Sequence, residues 1–209
     1  MFRKAVLNKT NLKIQNITAG KEDVKMGIKR NRLHLGCGNN YFPDFVNVDN
    51  NVNIKKVDLY HDLNSFPYPF EDNSIKEIIM DHILEHLDDT IRVILELYRI
   101  CDNNAIITLK SPHFSCNWTH PGHKRAIGVG LFDHFGQQSF ERYGNCHFKI
   151  EFVKLHWIRP VYVDNIFKRT VNSIVNFLAN FNIRFCERVW CYWVGGFEEL
   201  EFRIKVIKV

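Results

Sequence analysis

Two glycines and one acid in the segment RLHLGCGNNYFPDFVNVD, residues 32–49, have the types and spacing of a nucleotide-binding turn. Gly36 and Gly38 follow an apolar strand pattern, and a residue without a Cβ lets the backbone turn sharply and approach a ligand closely. Asp49 ends the next strand pattern, where its carboxylate could accept hydrogen bonds from a ribose diol. The segment therefore predicts a nucleotide or nucleoside site at the carboxyl ends of two neighbouring strands.

A second group of polar residues follows later strand patterns. Asp81 and His82 come directly after the apolar run 75–80, and we expect them at the same sheet edge as the glycine turn, where open α/β sheets place their chemistry. His113 follows the strand pattern at 105–109 and would approach from the opposite side. Histidine is well suited to accept a proton near neutral pH, so His113 and His82 are both candidate bases, with His113 slightly preferred and Asp81 as the alternative.

The elements that would position these residues alternate as in an α/β fold. Only six residues separate Gly38 from Phe45, too few for the helix that usually links neighbouring parallel strands. Asp88 or Asp89 can cap a helix with apolar residues at helical spacing, and Asp164 can cap another. Strands are predicted at 33–35, 45–49, 55–59, 75–80, 105–109, 148–152 and 200–206.

Length and composition indicate one domain. With 209 residues, 45% of them hydrophobic, the chain can bury one sizeable core. Residues 1–32 hold nine basic and two acidic residues, whereas the rest is close to neutral with 19 basic and 21 acidic residues. We interpret 1–30 as a basic, solvated N-terminal arm and 31–209 as the domain. A nucleic-acid partner is not favoured, because a nucleic-acid groove normally carries its positive charge on the folded body.

Two further patterns concern the cellular compartment of the protein. No apolar run reaches the length of a membrane span, and the first residues lack the apolar core of a signal peptide. The six cysteines are scattered without a CxxC pair, which fits reduced thiols better than a disulfide framework. These features predict a soluble, cytoplasmic protein, and they leave its oligomeric state open.

Four motifs in this order, LHLGCG, the acid of VNVD, HDL with FPYPFEDNSI, and MDHILEHL, resemble the class I, Rossmann-like methyltransferases that use S-adenosylmethionine. The chain is similar to the small methyltransferases of polysaccharide biosynthesis clusters, which share the short link to an NVD strand and the DHILEHL stretch. The resemblance implies a mostly parallel twisted sheet with an antiparallel C-terminal strand pair and a crossover helix after the first strand that is shortened or absent. Two positions depart from the family pattern, with His34 in place of an acid and Asn40 in place of a third glycine.

The resemblance also implies a set of site residues for S-adenosylmethionine. Asp49 would bind the ribose hydroxyls, Asp62 with Leu63 would face the adenine, and Asp81 with His82 would flank the methyl group. The full set of implied cofactor-binding residues is Leu35, Gly36, Cys37, Gly38, Asn39, Asp49, Asp62, Leu63, Asp81 and His82.

The expected reaction is O-methylation of a hydroxyl on a small molecule or glycan. The sulfonium donor is already activated, so alignment supplies most of the catalysis and a base need only remove the acceptor proton. The long irregular segment 111–147 is predicted to cover the site on the acceptor side. Two alternatives stay open: an RNA or protein methyltransferase recruited through the basic arm, and a catalytically silent adaptor with the same fold.

Two motifs can also be interpreted as metal sites, although we favour another interpretation for each. His82, Glu85 and His86 fit the HxxEH pattern of some zinc peptidases, but they lie at the strand-to-helix junction of the resemblance and short matches arise by chance. Cys116, with His120 and His123, could ligate a metal, although histidines in a long polar loop are more often part of a substrate surface. No metal is predicted.

Overall fold

A seven-stranded sheet forms the centre of the domain. The computed structural model describes residues 31–117, 120–135 and 143–208, so the predicted arm at 1–30 lies outside the described residues. The strand order is β3-β2-β1-β4-β5-β7-β6, with the first five strands parallel and β7 antiparallel to both of its neighbours. The strands are β1 (Arg32–Leu35), β2 (Val46–Asp49), β3 (Leu59–Tyr60), β4 (Ile75–Asp81), β5 (Cys101–Pro112), β6 (His147–His156) and β7 (Glu199–Ile207). This confirms the predicted mostly parallel sheet with an antiparallel C-terminal pair.

The helices cover the sheet and its C-terminal edge. They are α1 (Thr90–Ile100), α2 (Phe114–Asn117), α3 (Ile166–Phe181), α4 (Ile183–Phe185) and α5 (Cys191–Trp193), with 3₁₀ turns at Leu84–His86, Leu131–His134 and Pro160–Tyr162 and a π-helical turn at Cys186–Trp190. The predicted cap of α1 is confirmed, since Asp89 accepts a hydrogen bond from the Arg92 amide at 2.9 Å. The predicted cap of α3 is wrong by one residue, because Asn165 accepts from the Lys168 amide while Asp164 pairs with the Lys168 ammonium.

The link between β1 and β2 contains no helix, as predicted, and the buried side chain of Asn47 holds this link in place by hydrogen bonds. The Asn47 side chain accepts a hydrogen bond from the Phe42 amide and donates one to the Phe42 carbonyl, both at 2.9 Å. His34, which stands in place of the family's acid, is buried and stacks on the Phe42 ring at 4.3 Å between centroids. Asn47 and His34 therefore fold the short link back onto β1, so that the two parallel strands can be adjacent without a crossover helix.

The third strand is shorter than predicted. Residues 55–59 were expected to be extended, but only Leu59 and Tyr60 pair with β2. Asp58, one residue before the strand, accepts hydrogen bonds from the Asn47 amide and side chain at 2.8 and 2.9 Å. The Asp58 amide also donates to the Asn47 carbonyl at 2.9 Å, so the hydrogen bonding with β2 begins at Asp58 and the residues before it are not part of the strand.

The edge of the sheet beyond β6 is closed by a row of asparagines on α3. Asn172, Asn176 and Asn180 follow one another at helical spacing, and their side-chain oxygens accept hydrogen bonds from the amides of Ile158, Trp157 and Leu155 at 3.1, 2.7 and 2.8 Å. The helix thus satisfies an exposed strand edge with its polar side. Its apolar side chains at Phe167, Phe177 and Phe181 are consequently exposed.

Two findings bear on the predicted surroundings of the protein. All six cysteines are free, as expected for reduced thiols. None of the helices in the described part of the chain combines the length and the apolar content needed to cross a bilayer.

Candidate functional site

The glycine turn wraps around the carboxyl end of β2. Gly36 has a φ of +69°, which favours glycine, and its amide donates to the Val48 carbonyl at 2.8 Å. A Cβ at this position would lie 2.6 Å from the Ile83 side chain, so the turn also packs too closely for any larger residue. Gly38, with a φ of +52°, donates its amide to Oδ2 of Asp49 at 2.9 Å. The predicted pair of glycine turn and acid is therefore formed by direct contact.

A cavity of about 280 Å³ lies beside this turn, and we call it the glycine-loop pocket. Asp49 presents its carboxylate there while its Oδ1 accepts the Asn51 amide at 2.8 Å. Each carboxylate oxygen can still accept a further hydrogen bond from a ligand. The pocket is lined by Gly36, Asp49, Asn50, His61, Asp62, Leu63, Asn64, Ile83, His86, Leu87 and Lys124.

The proline-containing loop after Leu63 forms a firm wall behind this pocket. Tyr68 is 2% exposed and its hydroxyl donates to the Leu63 carbonyl at 2.9 Å. Burial raises the pKa of this phenol. From α1, the Arg99 guanidinium donates to the carbonyls of Tyr68 and Phe70 at 3.1 and 3.0 Å. One arginine therefore holds a loop that has no regular secondary structure.

The end of β4 carries His82 in a strained backbone conformation. Its φ of +53° is unusual for a residue with a large side chain, and such outliers concentrate at functional sites. Its Nε2 lies 2.9 Å from Oε2 of Glu199 and 3.4 Å from Nη1 of Arg159. Although burial acts in the opposite direction, the hydrogen bond to Glu199 and the nearby Glu85 carboxylate raise the pKa of His82 to about 9. The imidazole is therefore held as a cation between two carboxylates.

The 3₁₀ turn after His82 brings a distant loop to the site. The Glu85 carbonyl accepts the Lys124 amide at 2.8 Å, and Nδ1 of His86 lies 3.0 Å from the Gly122 carbonyl. A second cavity of about 350 Å³, the histidine pocket, opens between the turn and this loop. Its lining is His82, Glu85, His86, Pro112, Cys116, His120, His123, Arg159, Tyr162 and Glu198. Because His86 lines both cavities, the two pockets are neighbours.

The predicted cofactor-binding residues separate into those that line the glycine-loop pocket and those that do not. Gly36, Asp49, Asp62 and Leu63 line the cavity. Leu35 and Cys37 are buried behind it, and burial raises the pKa of the Cys37 thiol to about 11. Gly38 acts through Asp49, whereas Asn39 is exposed and lines neither pocket.

The three predicted catalytic residues are not brought together. His82 lines the histidine pocket, and an Asp81 oxygen lies 3.8 Å from its Nε2. The side chain of His113 is fully buried and lines neither pocket. Its Nδ1 contacts Ser115 Oγ at 2.7 Å and its Nε2 contacts Glu187 Oε1 at 3.3 Å. With both ring nitrogens engaged inside the protein, His113 anchors the chain after β5.

Several pocket residues were not singled out by the sequence patterns. Glu85 and His86 were visible only as part of the HxxEH match, which was read as a junction. Glu199 lies 117 positions beyond its partner His82, and Arg159 lies 77 positions beyond it. A spacing of this length carries no local signal, so only the fold, with β7 beside β5 and the segment after β6 beside β7, could reveal these contacts.

Comparison with known proteins shows likeness in fold but not in sequence. No protein-family model and no curated protein matches the chain. A SAM-dependent methyltransferase from Archaeoglobus fulgidus superposes with a TM-score of 0.54 at 20% identity, covering 83% of this chain and 84% of the other. A putative S-adenosylmethionine-dependent methyltransferase from Listeria monocytogenes gives 0.52 at 9% identity, covering 89% and 96%. The [4+2]-cyclase SpnF gives 0.50 at 13% identity, covering 85% and 75%, so the same fold also carries other chemistry.

Proposed function

We propose that this chain, whose fold is that of the class I methyltransferases, is an enzyme that transfers a methyl group from S-adenosylmethionine to a hydroxyl of a small molecule or glycan. The observation that carries the proposal is the pair of neighbouring pockets joined at His86. A group-transfer reaction needs a donor and an acceptor held side by side, because positioning supplies a large part of the rate. One pocket has the features of a cofactor site, and the other is lined mainly by polar side chains.

The residues of the glycine-loop pocket fit S-adenosylmethionine by their chemistry. The turn at Gly36 lines the cavity beside Asp49, whose carboxylate retains free lone pairs for a ribose diol. Asp62 and Leu63 follow β3 on the far side of the cavity, where a carboxylate and a buried aliphatic side chain suit the amino group and face of an adenine. Bound there, the cofactor would supply an activated methyl group on sulfur.

The histidine pocket is the proposed acceptor site. His82 is positioned by Glu199 at its wall, and the neighbouring Arg159 guanidinium lies over the Tyr162 ring at 4.9 Å. Charged and aromatic side chains with fixed orientations are the groups that orient a small polar ligand. We assign to His82 the positioning of the acceptor, with Asp81 beside it. The glycan acceptor is proposed on these charged and aromatic side chains and on the resemblance of the sequence motifs to those of polysaccharide-cluster methyltransferases.

The assignment of Asp49 gives the first test. Asp49→Ala should weaken binding of S-adenosylhomocysteine by about 1.5–3 kcal/mol, because charge-assisted hydrogen bonds to the ribose are lost. Titration calorimetry measures the change. Asp44→Ala is the matched control, since Asp44 is an exposed acid in the preceding loop that lines neither pocket. Equal affinity of the two variants would contradict the assignment of Asp49.

A further inference from the structure

The histidine pocket holds a cluster of groups that can ligate a metal, and one of them, His86, also lines the glycine-loop pocket. One ligand atom from each of Glu85, His86 and His123 lies within 4.8 Å of the others. Tetrahedral coordination at ordinary zinc–ligand bond lengths needs ligand atoms about 3.4 Å apart, which modest side-chain rotations could reach. Two histidines and one glutamate form a common ligand set of catalytic zinc sites, in which a fourth position stays open for water or substrate.

The state of Glu85 is an independent observation that points to a cation. Its side chain is fully buried, and Oε2 accepts a hydrogen bond from Ser111 Oγ at 3.3 Å. Within the described parts of the chain, Oε1 accepts no hydrogen bond. Nδ1 of His82 lies 3.5 Å from Oε1, an ion-pair distance without hydrogen-bond geometry, so His82 offsets part of the carboxylate's charge and leaves the lone pairs of Oε1 unused. A buried carboxylate oxygen without a hydrogen bond is costly, and a directly coordinated ion would use those lone pairs.

His86 is oriented as a metal ligand. When its Nδ1–H donates to the Gly122 carbonyl at 3.0 Å, the neutral ring keeps its lone pair on Nε2. Metal-binding histidines commonly use one nitrogen for the ion and the other for a backbone carbonyl, which fixes both tautomer and ring orientation. Gly122 thus supplies from the opposite loop the partner that such a ligand requires.

The same loop presents His123 rather than His120 as the third ligand. Nδ1 of His120 accepts the Gly122 amide at 3.1 Å, which places the proton of its neutral ring on Nε2. The His123 ring meets the His86 ring edge-on, with centroids 4.8 Å apart and planes at 72°. The neighbouring cluster of Asp81, His82 and Glu199 differs, because His82 and Glu199 already satisfy each other at 2.9 Å.

We propose that Glu85, His86 and His123 bind a divalent first-row transition-metal ion such as Zn²⁺ at the junction of the two pockets. Its role rests on the proposed function: an ion with an open coordination position there would bind the acceptor hydroxyl and lower the pKa of that hydroxyl, whose proton would pass to water as the oxygen takes the methyl group from sulfur. The ion would do so in a site where His113, the base favoured by the sequence, does not reach the acceptor. Binding of the ion, in contrast, depends only on the three side chains of Glu85, His86 and His123.

Cobalt binding tests the site without any need for turnover. Protein freed of metal with a chelator is titrated with Co²⁺, whose visible d–d absorption reports coordination by protein ligands, and Zn²⁺ is then added as a competitor. We expect one equivalent of Co²⁺ to bind the wild-type chain and Zn²⁺ to displace it. His123→Gln and Glu85→Gln should each weaken binding by more than about 100-fold, since loss of a second-shell partner alone costs about 10–100-fold.

One variant serves as the control. His147→Gln changes a half-buried histidine at the start of β6 that is not part of the cluster, so it should bind Co²⁺ nearly as the wild type does. His123 is only half-buried, so its variant should stay folded even if Glu85→Gln does not. Absence of saturable Co²⁺ binding in the wild type, or equal binding by His123→Gln and His147→Gln, would overturn the proposal.

The same samples distinguish the metal site from the proposed function. Binding of S-adenosylhomocysteine is measured by calorimetry on the metal-free chain. If the wild-type chain gives no Co²⁺ signal but binds S-adenosylhomocysteine, the metal site is wrong and the methyltransferase proposal stands. If the chain binds Co²⁺ but not S-adenosylhomocysteine, the metal site is supported and its proposed role in methyl transfer is wrong.

Discussion

Glu187→Ala is expected to destabilise the domain by about 3–5 kcal/mol, the usual cost of breaking a buried charged or polar pair from one side. Oε1 of Glu187 accepts the Val129 amide at 2.7 Å and contacts Nε2 of the fully buried His113 at 3.3 Å. Removal of the carboxylate leaves both donors without this acceptor. The contact joins the chain after β5 to the π-helical turn before β7, so its loss should also loosen one side of the histidine pocket.

Chemical denaturation at pH 7 measures this loss, with Glu151→Ala as the control. Glu151 pairs with Arg203 at 3.0 Å on the surface, and such exposed pairs contribute about 0.2–1 kcal/mol. The effect of Glu187 should also depend on pH. Burial raises its pKa, but the hydrogen bonds from His113 and Val129 outweigh burial and hold the pKa below its ordinary value of 4.5. Its contribution is therefore present above about pH 4.5 and is lost as the pH falls through the lower folded-state pKa.

Equal unfolding free energies of the wild type and Glu187→Ala at pH 7 would show that other contacts hold His113. A difference that stays constant from pH 7 to below the folded-state pKa would contradict the ionic part of the account. Either outcome would reopen the question of whether His113 can reach the acceptor.

Gly36→Ala is expected to destabilise the domain by about 2–5 kcal/mol. A left-handed backbone costs a residue with a Cβ about 1–3 kcal/mol, and forcing a side chain into a packed region costs about as much again. The new methyl group would lie 2.6 Å from Cγ1 and 2.8 Å from Cβ of Ile83. Cβ cannot move away by a side-chain rotation, so the turn itself must shift, and ligand binding at the glycine-loop pocket should weaken at least tenfold.

Gly195→Ala is the matched control for this change. Gly195 has no left-handed backbone, and a Cβ there would meet no atom within 4 Å, so its stability should stay within about 0.5 kcal/mol of the wild type. Thermal denaturation and calorimetry with S-adenosylhomocysteine give the two readouts. If Gly36→Ala binds the ligand as tightly as Gly195→Ala does, the turn does not contact the ligand.

The sheet and the donor side of the site could be predicted from sequence because their signals are local. An apolar strand that runs into Gly36 and Gly38, followed by a strand that ends in Asp49, specifies a turn and its acid within 18 residues. The absence of a crossover helix could also be predicted, since the link is too short to contain one. The contacts that hold the link could not be predicted, because they depend on how the Asn47 side chain bonds the backbone of its own loop.

The histidine pocket could not be predicted in the same way. His82 is held by Glu199, which comes from the other end of the chain, and the pairing of β7 with β5 decides their contact. His113 is favoured as the base by its position after a strand, yet its contact with Glu187 depends on the helical segment before β7 and its other ring nitrogen contacts Ser115 on α2. The HxxEH match is interpreted from the sequence as a junction, and only the folding of the loop at His123 against it brings His123 close to Glu85 and His86.

Titration calorimetry of the wild-type chain tests the central claim, that the glycine-loop pocket binds S-adenosylmethionine. We expect saturable binding of both S-adenosylmethionine and S-adenosylhomocysteine with one site per chain and a dissociation constant between about 1 μM and 1 mM, the usual range for enzyme substrates. A folded chain that gives no heat of binding with either ligand at concentrations above about 1 mM would contradict the claim.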